Sequence, residues 1–273
     1  MMTRRLLLLV LWCSLALSAA GRPPVGIAYY DVDRLYDTLP ALFYDDEDYT
    51  PEGRLHWTAA RYERKIQNTA AVIDSLGLDL VALWGVENEQ VVRDLVAACH
   101  GDYTFLHRTL NTLDGMDFAL LYYGDRFFPA RVETGRRYLL IEGELRDERV
   151  AVVLCADPRM AEWVIEDLRK EAPGLKPILL GRAALSRPGR LGLRDATEPA
   201  ARAGRGTQRR TRGRRWEMTD RILVDTALKV EACDVYARRF LIDRHSGNPL
   251  ETFSGRVYRG GYSRSLPVYI YIR

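Results

Sequence analysis

Residues 260–272 read GGYSRSLPVYIYI, and this stretch decides the fold. The pair Gly260-Gly261 marks a turn, because glycine reaches backbone conformations closed to other residues. Pro267 then introduces Val268 to Ile272, a run of β-branched and aromatic residues suited to a strand. Two residues between the turn and the strand stand out. They are Arg264 and Ser265, where the chain passes from turn to strand.

The rest of the chain supports one globular domain. It has 273 residues, 47% hydrophobic and 28% charged, enough for a sizeable core. Residues 1–20 stand apart. Arg4 and Arg5 precede the apolar run Leu6 to Leu17, and Ser18-Ala19-Ala20 supplies small residues for cleavage. This is the pattern of a secretory signal peptide, and the run is shorter than the ~20 residues of a membrane span. The expected location is secreted or periplasmic, with no membrane segment after cleavage. The mature chain, 21–273, keeps Cys99, Cys155 and Cys233, an odd number that does not make a disulfide framework. They read as buried small hydrophobes, with one disulfide left open.

Charge is unevenly spread. Residues 182–215 hold eleven arginines against Asp195 and Glu198, although the mature chain is close to neutral. The stretch 186–215 lacks periodicity and reads as an Arg-rich loop or insertion. Elsewhere strands and helices alternate early and crowd together late. Val25 to Tyr30, Asp79 to Trp84, Phe118 to Tyr123, Arg137 to Ile141, Val150 to Cys155, Pro177 to Gly181, Ile222 to Val224 and Thr252 to Tyr258 read as strands. Helices are expected over 57–76, after the N-cap Asn88 and after Asp157-Pro158. In the first of these, Ile66, Thr69, Ala70, Ile73 and Leu76 form the packing stripe, with Lys65 off it. The expected architecture is an α/β four-layer sandwich: two mixed β-sheets packed face to face with helices outside.

Seven islands in order resemble the endonuclease/exonuclease/phosphatase superfamily. GGYSRSLPV resembles its closing motif, usually G-G-Y-S-D-H-x-P-V. IAYYDVDRLYD (27–37), YTPEGRLHWTAARYERK (49–65), LVALWGVEN (80–88), LDGMDFALLY (113–122), PILLGRAA (177–184) and GTQRRTRGRRWEMTDRILV (206–224) resemble the others. The second of these six is typical of secreted bacterial members. The resemblance implies phosphoester hydrolysis with one or two divalent cations, Mg²⁺ or Mn²⁺, held by carboxylates beside an Asp-His pair.

The residues that would do this are largely replaced. The metal-binding Glu falls at Gly85, the mid-chain His at about Ala156, the Asp and Asn of G-D-F-N at Arg182 and Ala184, and the final Asp-His at Arg264-Ser265. Asp31 stands where the first strand has Asn. Asp33, Asp117 and Asp220 remain, and Asp220 matches the Asp that orients the lost His. Arginines in place of acids oppose a cation that needs anionic oxygen ligands. Asp31 and Asp33 share a strand face that could take a cation weakly, while Glu87 reads as a charge at the N-terminus of the helix capped by Asn88. His56, His100, His107 and His245 lack metal-ligand spacing, and no G-x-S-x-G elbow or phosphate loop occurs.

Three functions are compatible with these residues. The first is a secreted pseudoenzyme without a cofactor, whose Arg182 and Arg264 bind a phosphate-bearing or acidic ligand. The second is a polyanion or nucleic-acid binder working through Arg209, Arg210, Arg212, Arg214 and Arg215. The third is an active Mg²⁺- or Mn²⁺-dependent phosphodiesterase with rearranged ligands.

Overall fold

The computed structural model describes residues 23–110, 112–182, 184–210 and 215–273. The signal-peptide reading of 1–20 lies outside them, as do Arg212 and Arg214. The first half runs β1 (Val25–Leu35), α1 (Ala59–Leu76), β2 (Leu80–Val86), α2 (Glu89–Ala98), β3 (Thr104–Arg108) and β4 (Asp117–Tyr122). The second opens with a meander, β5 (Phe127–Gly135), β6 (Tyr138–Leu145) and β7 (Glu148–Cys155). It continues through α3 (Pro158–Glu171), β8 (Lys176–Gly181), β9 (Leu193–Asp195) and α4 (Glu198–Arg202). A ribbon of β10 (Gln208–Arg209) and β11 (Trp216–Glu217) leads to β12 (Arg221–Asp225) and β13 (Val230–Val235). A hairpin of β14 (Phe253–Ser254) and β15 (Val257–Tyr258) precedes the last strand, β16 (Val268–Ile272).

Two six-stranded mixed sheets result, in the orders β13-β16-β1-β2-β4-β3 and β5-β6-β7-β8-β12-β9. Each holds one parallel pair, β1/β2 joined through α1 and β7/β8 joined through α3. The closing strand enters the interior of the first sheet, where Ile270 pairs with Ile27. Strand periodicity sorts the core into layers. Val150, Val152 and Leu154 of β7 point between the sheets, while Ala151, Val153 and Cys155 point to α3, where they meet Ala161, Ile165 and Leu168. Ile66, Ala70 and Ile73 of α1 and Val91, Val92 and Leu95 of α2 pack on the first sheet. The expected four-layer α/β sandwich is therefore the observed one. Among the described residues Cys99, Cys155 and Cys233 are free, and only Cys155 is buried while the other two are half-buried; no described helix is long and apolar enough to cross a membrane.

The helix ends follow from local chemistry. Asn88 Oδ1 accepts from Val91 N at 3.0 Å, and Asp157 Oδ1 from Arg159 N at 2.9 Å and Met160 N at 3.1 Å. Two expectations change. The segment 186–215 holds β9, α4, a 3-10 turn at Pro188–Leu191 and β10 rather than loop alone. Such short elements leave no periodicity; β9 exists because it pairs with β12. The stretch 252–258 is two short strands about Gly255, whose φ of +61° makes the turn.

Candidate functional site

The C-terminal ends of β1 and β2 and the loop before β16 meet at one place. Asp31 pairs with Trp84 in register, and the ladder then breaks before Leu35 meets Val86. In the break Asp33 and Arg34 adopt φ of +56° and +62°, a left-handed pair unusual outside glycine. The backbone N–H of Asp33 donates to Asp31 Oδ1 at 2.9 Å, which closes the turn. Gly85 lies beneath this bulge with φ of +90°. A Cβ there would stand 3.2 Å from Arg34 N and 3.6 Å from Asp31 Oδ1. The loop from the opening motif locks on from the other side. Ser263 Oγ donates to the Asp31 carbonyl at 2.6 Å and accepts from Ser265 N at 3.0 Å. Ser265, buried, accepts through Oγ from Gln208 Nε2 at 2.7 Å.

Charges of both signs gather over this frame. Arg182, one residue past β8, donates through Nη2 to Asp31 Oδ2 at 2.6 Å, and its Nε lies 3.6 Å from Asp220 Oδ1. Arg264 sends Nε and Nη2 to one oxygen, Asp33 Oδ1, at 2.9 and 2.7 Å. Asp31 and Asp220 are 7% and 1% exposed. Burial, the largest cause, raises both carboxyls. Asp220 reaches about 6, with the Asp31 charge adding to the rise and Arg182 opposing it. Asp31 also rises, with Arg182 opposing and Asp33 adding. Asp220 Oδ1 accepts no hydrogen bond, and the buried Tyr29 Oη likewise lacks a partner. Burial, then Asp220 and Asp31, push the Tyr29 hydroxyl upward.

Lys65 is the group that sequence reasoning placed on the wrong face. It is 1% exposed, and Nζ donates to Thr252 Oγ1 at 2.7 Å and to the Tyr262 carbonyl. Burial lowers its amine to about 8, while the Asp33 and Asp31 charges act in the opposite sense. The signal available was Thr69 one turn later, buried and bonded back to the Lys65 carbonyl at 2.8 Å. A lysine stacked with a stripe residue at i, i+4 shares its face. Three cations, Arg182, Arg264 and Lys65, thus lie with three carboxylates, Asp31, Asp33 and Asp220.

The remaining expected positions border this cluster without joining its ion pairs. Asp117 accepts from Leu110 N at 2.8 Å and has His107 Nε2 at 3.1 Å, so it fixes the end of β3. Ala184 lines a cavity of about 910 Å³ at the β9 and β13 edges, with Leu193, Arg221 and Cys233. Ala156 lines a separate cavity of about 360 Å³ with Trp84, Thr112, Leu113, Asp114, Arg136 and Arg137. Glu87 does more than offer charge to α2. It accepts from Asp37 N at 2.6 Å and Tyr44 Oη at 2.9 Å, and burial raises it to about 7.

Comparison with known proteins agrees with this architecture. The endonuclease/exonuclease/phosphatase family model matches residues 26–158. No curated protein matches the sequence. Among solved structures, the Bacteroides thetaiotaomicron VPI-5482 mannosyl-6-phosphatase superposes with a TM-score of 0.61 at 14% identity, covering 91% of this chain and 99% of that one. A humanized D. rerio TDP2 gives 0.60 at 12% identity, over 92% and 99% of the two chains. The D. rerio TDP2 complexed with single-strand DNA product gives 0.59 at 12% identity, with the same coverage. The fold is that of the endonuclease/exonuclease/phosphatase superfamily.

That superfamily fold implies a divalent cation, and the donor set here does not fit one. Among the described residues no group of three His, Cys, Asp or Glu is placed to hold a metal ion. Mg²⁺ requires near-octahedral oxygen ligands. The oxygens nearest the expected place, on Asp31 and Asp33, already face guanidinium groups, and position 85 offers no side chain. No hydrolytic step is therefore derived through a metal.

Proposed function

We propose that this chain is a catalytically silent protein of the superfamily fold, secreted in its mature form, that takes up a phosphate-bearing ligand without cleaving it. One observation carries the reading. The guanidinium of Arg182 lies between Asp31, at 2.6 Å, and Asp220, at 3.6 Å, so a tethered cation neutralises the buried acids. A fixed guanidinium satisfies carboxylate charge but, unlike a metal, cannot ionise a water or open coordination positions to a phosphoryl group. Neither member of an Asp-His pair stands at 264–265 to replace that chemistry.

The test is turnover of plasmid DNA and bis(p-nitrophenyl) phosphate in Mg²⁺ and Mn²⁺. The expected result is no cleavage above a buffer control. Turnover that EDTA abolishes would overturn the reading and favour a phosphodiesterase with displaced ligands.

A nucleic-acid reading draws support from the TDP2 complex with single-strand DNA product, a property of that protein. The Arg-rich segment lends it less than its composition promises. Arg210 donates to Glu217 Oε1 at 2.6 Å through Nη2, and Arg209 donates to the Ser246 carbonyl at 2.8 Å and lies over Trp216. Binding of single-stranded DNA that weakens steeply with added salt would support it.

A further inference from the structure

We infer that the ligand seat is the cavity between Trp84, Arg136, Arg137 and Ala156, and that it takes a phosphomonoester borne on a flat ring. This rests on the proposal that the protein still takes up a phosphate-bearing ligand. The two arginines first suggested by the sequence are poor candidates for that contact. Arg182 and Arg264 each hold a carboxylate at hydrogen-bond distance, so an anion must compete with Asp31 and Asp33.

Arg136 and Arg137 are differently placed. They form the tip of the β5–β6 turn, where Gly135 pairs with Tyr138, and both are exposed. Arg136 has no ion-pair partner among the described residues. Arg137 has only Asp157 Oδ2, 3.5 Å from Nη1, and that carboxylate already caps α3. Two adjacent guanidinium groups with open donors suit the dianion of a phosphomonoester, which accepts several charge-assisted hydrogen bonds.

The other walls fit a ring. Trp84, at the end of β2, is partly buried, and its indole is braced by Phe118 with centroids 4.5 Å apart and planes at 48°. A braced indole offers an apolar surface that does not have to be ordered on binding. Ala156, at the end of β7, contributes only a methyl group where the resemblance implies an imidazole, which leaves room. The volume of about 360 Å³ lies within the range of small-molecule sites and suits one substituted ring. Asp114 on the rim and Asp157 beside Arg137 offset part of this charge, and Arg136 stays without a carboxylate partner among the described residues.

Calorimetric titration of the full mature chain with phenyl phosphate, inorganic phosphate and phenol tests this. Phenyl phosphate should bind about tenfold more tightly than inorganic phosphate, and phenol should not bind measurably. Replacing both arginines (Arg136→Ala with Arg137→Ala) should weaken phenyl phosphate by about tenfold or more. Filling the cavity with Ala156→Trp should weaken phenyl phosphate as well, with circular dichroism unchanged in both variants. If the parent chain binds and both variants bind equally well, the seat lies elsewhere and phosphate uptake still stands. If the parent chain binds neither phosphate probe, the seat and the uptake both fall. Release of phenol would overturn the silent reading alone.

Discussion

The cluster around Arg182 and the cavity around Arg136 both bring arginines to the ends of strands, yet they differ in what those arginines have left to give. In the first, Arg182 faces Asp31 and Asp220, and Arg264 faces Asp33. In the second, Arg136 lacks a partner among the described residues and Arg137 has one long contact. Residue type therefore does not mark a binding site; unspent hydrogen-bonding capacity does. The first region reads as internal structure and the second as a surface for something else.

Four measurements sharpen or break this contrast. The largest effect is expected at Lys65, whose amine is buried in the cluster. Lys65→Ala leaves a void and removes one of the two donors to the Tyr262 carbonyl, Thr252 Oγ1 at 3.2 Å being the other, and should cost about 3 kcal/mol in urea unfolding. A loss below ~1 kcal/mol would show that the cluster carries little of the fold.

Glu87 comes next. Its folded carboxyl holds a proton up to about 7, against an ordinary value of 4.5. The folded chain then binds more protons than the unfolded chain between those limits. Stability should fall as pH rises from 4.5 to 7, by roughly 2 kcal/mol from this group. Glu87→Gln should remove that part of the slope, and an unchanged slope would assign it to Asp31 and Asp220.

Arg182→Ala leaves Asp31 and Asp220 without their cation. The side chain is 44% exposed, so screening holds the loss to about 1 kcal/mol. The informative readout is a gained response. Mn²⁺ should raise the Tm of the variant by about 2–4 °C and leave the parent unmoved. A parent chain that Mn²⁺ stabilises equally would break the tethered-cation account.

The smallest effect belongs to the cavity. Arg136→Ala with Arg137→Ala should change stability by less than ~0.5 kcal/mol, since exposed arginines without close partners support little. A larger loss would make them structural and erase the contrast.

Much of the fold was legible because its signals are local. Central strands such as β2 and β7 are apolar runs, and Asn88 and Asp157 cap helices with their own side chains. The edges were less so. β3, β5 and β13 went unread because each lies at a sheet edge, where exposed residues break the apolar pattern. The candidate site was legible in position and less so in state. Arg182 meets Asp31 across 151 residues of chain and Arg264 meets Asp33 across 231, separations that no motif spacing encodes. Lys65 was misplaced because polarity alone assigned it to solvent. The exposed arginines 136 and 137 carried no motif at all.

Gly85 limits what the site can be rebuilt to hold. Its φ of +90° lies under the bulge formed by Asp33 and Arg34, with their φ of +56° and +62°. Arg264, with a side chain 60% exposed, can be exchanged without moving the backbone. An acid placed at position 85 meets strain in its own backbone and an amide 3.2 Å from its Cβ, before any question of charge arises. The strand and the bulge have to change together. The local geometry thus makes position 85 a keystone: any side chain there needs both a left-handed backbone and a small shift of the bulge above it.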